Sequence, residues 1–280
     1  MKIKQGVLYL TVMGLGFVIA CIFHYIYELA LHAKETGWVI DLAFSMALAS
    51  PLVAFFMKKR IAVVRHERDM GKLRVAGHVF DVSKTVIALP LCIIAFLVVS
   101  IIASLGKAMK LEVIDAERLW YHVIIGIAEE FYYRAMVINA ANMAFQAKNK
   151  AAGFGAFVAI AILTLASAFN TVTIYRALFF VIATVVFTVL AVIPRRDRRT
   201  VAGDIAGIAA SALLFSLAHW QVYATTAPEM MIATFVIGAI CGLFYVWTRN
   251  IAVTAAAHAI NNFANGLHLV LATLAKAIGR

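Results

Sequence analysis

The chain has 280 residues, 64% of them hydrophobic, and a net charge of +11. Soluble domains run nearer to about 45–50% apolar, so this composition excludes one and indicates a polytopic membrane protein. The Lys and Arg fall between apolar runs rather than on one surface, which fits topology determinants facing an anionic leaflet and no nucleic-acid partner.

No polar stretch is long enough for a soluble domain, so a single all-α membrane domain over 1–280 is expected. The N-terminus starts basic, but its apolar run is too long for a signal peptide and reads as a retained first span. Apolar runs of membrane-crossing length predict spans near 6 to 31, 38 to 57, 83 to 105, 119 to 145, 152 to 170, 173 to 194, 205 to 224, 230 to 248 and 251 to 275. Eight spans result if 152 to 194 is not divided in two. With nine spans and the N-terminus in the cytoplasm, 17 of the 25 Lys and Arg lie inside, 7 lie outside, and Arg134 stays in the membrane. That split obeys the positive-inside rule and predicts a multi-pass cell-membrane protein with a cytoplasmic N-terminus.

Between spans, Lys58 to Asp81 reads as a solvated basic loop, and Lys107 to Arg118 as a short interfacial helix. His24 and Glu28 are four apart near a span end and read as an interfacial ion pair. Asp41 and Asp204 sit near helix starts, where capping accounts for them. His32, His66, His78, His122 and His268 carry no pairing signal, although His122 lies seven residues before Glu129 on the same helical face. Cys21, Cys92 and Cys241 are odd in number and lack CxxC spacing, so neither a disulfide framework nor a thiolate metal site is expected.

The fourth span carries charge where charge is costly. Glu129, Glu130 and Arg134 lie inside an apolar run, and insertion scales put each charge near mid-bilayer at about 2.5–3.5 kcal/mol, which marks them as functional candidates. Glu130 and Arg134 are i,i+4 and share a face, while Glu129 is turned by roughly 100°, so Arg134 can neutralise Glu130 and leave Glu129 available. Two later spans bring imidazoles to membrane depth. Phe215 and His219 have FxxxH spacing, and His258, Asn262 and Asn265 form a stripe among small alanines. Alone, His219 reads more as a hydrogen-bonded packing residue than as a catalyst, and the His258 stripe reads equally as function or as close packing and hydrogen-bond glue. Together, a carboxylate, two imidazoles and an amide are the parts that hydrolyse a peptide bond. The carboxylate takes a proton from water, a histidine orients that water, and His and Asn donors hold the oxyanion.

EEFYYR at 129–134, FSLAH at 215–219 and HAINN at 258–262 resemble, in order, the EExxxR, FxxxH and HxxxN motifs of the CPBP family, which holds type II CAAX prenyl proteases and bacteriocin-processing, Abi-like enzymes. The resemblance runs from Tyr121 to Gly266, and the catalytic part is expected at about 119–275. It implies an intramembrane endopeptidase acting on a membrane-associated or prenylated peptide or protein. Glu129 and His219 would activate water, His258 and Asn262 would form the oxyanion hole, and Glu130 and Arg134 would support the site. Two alternatives stay open. Glu129, His219 and His258 are also a possible zinc ligand set, although HxxxN lacks the second histidine and the internal base of HExxH, so chemistry without a cofactor is expected. The same cluster could instead serve a proton-coupled transporter or scaffold as a relay.

Overall fold

Long runs without charge leave the backbone no polar partner but itself, and in a bilayer that condition is met by helices. A computed structural model describes residues 72–75, 78–104, 126–127, 129–169, 173–196, 200–223 and 228–263. Four helices there are long and apolar enough to cross a membrane, spanning Lys84–Ala103, Lys150–Phe169, Val201–Ala218 and Glu229–Thr248. The predicted spans 6 to 31 and 38 to 57, the interfacial helix at 107 to 118, and His24, Glu28, Asp41, His122 and His268 lie outside the described residues. The total of eight or nine spans therefore stays an expectation.

The described residues are helical, as the all-α expectation has it, apart from one short hairpin. The predicted basic loop ends in an antiparallel hairpin of β1 (Lys72–Val75) and β2 (His78–Asp81), with Lys72 opposite Asp81 and Leu73 opposite Phe80. Only Ala76 and Gly77 separate the strands, and a two-residue connection containing glycine is what a tight hairpin requires.

Helix α1 (Val82–Ser104) follows directly. Helix α2 runs from 129 to 146, with a π-helical middle, Phe131–Ile138, and an α-helical end, Asn139–Gln146. Helices α3 (Lys150–Phe169) and α4 (Thr173–Val192) are two separate elements that pack on each other. Helix α5 (Val201–Ala218) is followed by the single turn α6 (Trp220–Tyr223), then by α7 (Glu229–Thr248) and a helix over 251–263, α8. The span predicted at 205 to 224 thus starts four residues earlier and breaks at His219.

Helix α5 touches α2, α3 and α7. Small residues allow this, because helices in lipid gain from close van der Waals approach rather than from a hydrophobic drive. A β-carbon on Gly207 would lie 2.9 Å from Ile138 Cα, and one on Gly203 would lie 3.0 Å from Asn142 Cα, so α2 lies directly on that stripe. On another side of α5, Gly238 of α7 faces Ala212 and Gly242 faces Ile208. Polar pins tie α2 to its other neighbours, α3 and α7. The Tyr132 hydroxyl meets Thr164 Oγ at 2.7 Å, and Asn139 Nδ2 donates to Tyr245 Oη at 2.7 Å.

At one end of α5, Thr200 is the N-cap, its hydroxyl accepting from the Gly203 amide at 3.0 Å. Asp204, which capping was expected to explain, is instead held by Arg249 Nη2 at 2.7 Å and by Asn142 Nδ2 at 2.6 Å. The other end of α5 leads to His219.

Candidate active site

Glu129 and Glu130 stand just before the π-helical stretch of α2. A π turn is wider than an α turn, and such segments recur at functional sites. Glu130 and Arg134 are fully buried, and Glu129 is 8% exposed. Arg134 grips Glu130 through Nε to Oε2 and Nη2 to Oε1, both at 3.1 Å. Its remaining nitrogen, Nη1, donates to Ser211 Oγ at 2.6 Å, and its guanidinium carbon sits 4.9 Å from the centre of the Phe215 ring. Two-pronged pairing, a third donor and an aromatic face are what a buried guanidinium needs in place of water. The pair is neutral overall, and Glu129 remains as the unneutralised carboxylate.

Helices α5 and α8 bring the imidazoles to it. His219 Nε2 lies 3.9 Å from Glu129 Oε1, and His258 Nε2 lies 3.7 Å from Glu129 Oε2. The opposite nitrogens are already engaged. His219 Nδ1 donates to the Phe215 carbonyl at 2.8 Å, and His258 Nδ1 donates to Glu130 Oε1 at 3.0 Å. The two carboxylates, turned apart on α2, therefore flank the two nitrogens of one His258 ring.

The tautomers follow from these partners. A carbonyl only accepts, so His219 carries its proton on Nδ1 and, when neutral, offers a lone pair at Nε2 toward Glu129. Gaps of 3.7 and 3.9 Å are too long for direct hydrogen bonds but match two atoms sharing one water about 2.8 Å from each.

Asn262 lies one turn beyond His258 on α8. Its side chain meets Gly126, where a β-carbon would lie 2.8 Å from Asn262 Nδ2 and 3.1 Å from His258 Cδ2. All six residues singled out in the sequence thus meet in one region of the bundle.

Several others in that region were not singled out. Ser211 anchors Arg134, Gly126 leaves room for Asn262, and Phe96 of α1 faces the His258 ring at 5.4 Å. Neighbouring Asn261 accepts from Ser100 Oγ at 3.0 Å, tying α8 to α1. Ser211 could have been found, since Gly203, Gly207, Ser211, Phe215 and His219 recur every fourth residue along one helical face. Phe96 and Ser100 carried no signal, because nothing local in α1 points to contacts more than 150 residues away. Among the described residues no group of three His, Cys, Asp or Glu is arranged to hold a metal ion, so the zinc set Glu129, His219 and His258 gains no support.

Residues 190–264 match the family model described as Type II CAAX prenyl endopeptidase Rce1-like. That segment is thus similar to the CAAX protease family. It spans roughly a quarter of the chain and contains FSLAH and HAINN, whereas EEFYYR lies outside it. No curated protein and no solved structure matches the chain significantly. Glu129, Glu130 and Arg134 lie outside the matched segment, and the fold sets them against the two histidines inside it.

Proposed function

We propose that the chain is an intramembrane endopeptidase that cleaves a peptide bond near the C-terminus of a membrane-associated, prenylated peptide or protein. The observation that carries this reading is the approach of both imidazoles to within 3.7 and 3.9 Å of the one carboxylate that Arg134 does not neutralise. Water held between Glu129 and His219 attacks the scissile carbonyl carbon, and its proton passes to Glu129. The carbonyl oxygen becomes an oxyanion that takes hydrogen bonds from Asn262 Nδ2 and His258 Nε2. Because His258 Nδ1 already donates to Glu130, the ring must carry both protons to donate from Nε2, and the two flanking carboxylates offset that positive charge. Collapse of the intermediate breaks the C–N bond, and the proton on Glu129 goes to the leaving amine. No cofactor takes part.

The test uses purified protein in liposomes and a farnesylated CAAX peptide carrying a fluorophore and quencher. Wild type is expected to release the tail. Glu129→Gln and His219→Ala should lose roughly 10²–10⁴-fold in kcat with the melting temperature kept. Asn262→Ala should lose about 10²–10³-fold. Cleavage should survive phenanthroline, and a loss restored by zinc would put a metal at Glu129, His219 and His258. The rival reading draws on the same Glu129–His258–Glu130 row as a proton relay. It takes over if wild type cleaves neither this probe nor a peptide library but moves protons in a way that Glu129→Gln abolishes.

A further inference from the structure

His219 stands where α5 ends. Its backbone, at φ −90° and ψ 3°, closes the helix, and its own carbonyl accepts from the Tyr223 amide at 3.0 Å to start α6. A side chain at a helix end has fewer neighbours to hold it than one in mid-helix, and a half-turn of this ring would carry Nε2 away from Glu129. Aromatic rings pack against it on two sides. Phe215 meets it edge to face at 4.7 Å and 64°, and Tyr223 lies parallel to it at 5.7 Å and 5°. Phe215, His219 and Tyr223 are successive i,i+4 neighbours, so the α5–α6 break keeps one aromatic face continuous. Tyr223 is half-buried and lies within the field of the Glu129 carboxylate.

We propose that Tyr223 is a positioning residue whose ring, stacked on His219, keeps Nε2 aimed at the water on Glu129. The inference rests on the hydrolytic reading above. Tyr223 acts through the imidazole and takes no proton itself, so the stacking ring matters and the hydroxyl does not. The stack is made in free enzyme and complex alike, and its loss falls on the chemical step.

The experiment measures kcat and KM on the farnesylated peptide for wild type, Tyr223→Phe, Tyr223→Leu and Tyr223→Ala, with thermal unfolding of each. Tyr223→Phe should stay within about twofold of wild type, while Tyr223→Leu and Tyr223→Ala lose roughly 3- to 10-fold in kcat at unchanged KM, the size expected for one aromatic pair. Leucine fills most of the space without a ring, so full activity in Tyr223→Leu would overturn the stacking role in favour of simple packing. A loss in Tyr223→Phe as large as in Tyr223→Ala would overturn it in favour of a working hydroxyl. A rise in KM at constant kcat would make Tyr223 a substrate contact and also overturn it. Absence of cleavage by wild type would instead remove the hydrolytic reading itself.

Discussion

Glu129 and Glu130 are the same residue in adjacent positions, and one guanidinium gives them different roles. Arg134 reaches Glu130 because they are four apart, and it must, since removing one partner of a buried pair typically costs about 3–5 kcal/mol. That spacing was legible in the sequence, and so was the consequence that Glu129 stays available. Gly126 was not. Its importance depends on α8 lying against it, and a glycine in an apolar run otherwise looks like any small residue. A methyl there would lie 2.8 Å from Asn262 Nδ2, the mobile end of a side chain that can swing aside. Gly126→Ala should therefore fold with a melting temperature close to wild type. Its kcat on the prenylated peptide should fall by about 10- to 100-fold, part of the loss caused by removing an oxyanion donor outright. Full activity in Gly126→Ala would mean that the Asn262 amide does not serve the oxyanion.

Among the elements, α5 carries the most information per residue. One face reads Gly203, Gly207, Ser211, Phe215, His219, running from close packing through the Arg134 anchor to the site. Hydropathy locates such a helix but is blind to which face is small, and a motif search stops at FxxxH. The π-helical stretch of α2 and the break at His219 were illegible for a different reason. No Pro or Gly marks either spot, so neither has a local signal in the sequence. Two glycines test the packing argument. At Gly207 a β-carbon would press on Ile138 Cα and O, both 2.9 Å away, and backbone cannot rotate aside. Gly207→Ala should destabilise by about 1–3 kcal/mol, and it should lower kcat as α5 carries His219 away from Glu129. At Gly155, on the exposed side of α3, nothing lies within 4 Å, so Gly155→Ala should be neutral or stabilising by up to about 1 kcal/mol. Thermal unfolding in one detergent separates the two, and equal shifts would mean that α5 does not rest on α2.

For the whole molecule, the two ends of α5 do different work. Fifteen residues at about 1.5 Å each put roughly 22 Å between the clasp near Asp204 and the site at His219. The clasp joins α2, through Asn142, to α5 and to the turn after α7, and so gathers nearly the same helices that meet again at the site. Arg249 makes it at a backbone cost. Its φ of 54° is the one positive value at a non-glycine among the described residues, a helix-terminating conformation that glycine adopts freely. No local pattern announced this, because the residue that ends α7 was chosen for a partner 45 positions earlier. The two contributions can be separated. Arg249→Ala loses the two-pronged grip on Asp204 and keeps the strain, whereas Arg249→Gly loses the grip and relieves the strain. Arg249→Ala should unfold at lower temperature than wild type, and Arg249→Gly, about 1 kcal/mol more stable than alanine, should unfold close to wild type. The grip itself is part-exposed, so its loss should cost only about 1 kcal/mol. Neither change reaches the site, so kcat per folded molecule should stay at the wild-type value. A fall in kcat at full folding would show that the far end of α5 sets the distance between His219 and Glu129, making the bundle a single lever rather than two independently anchored ends.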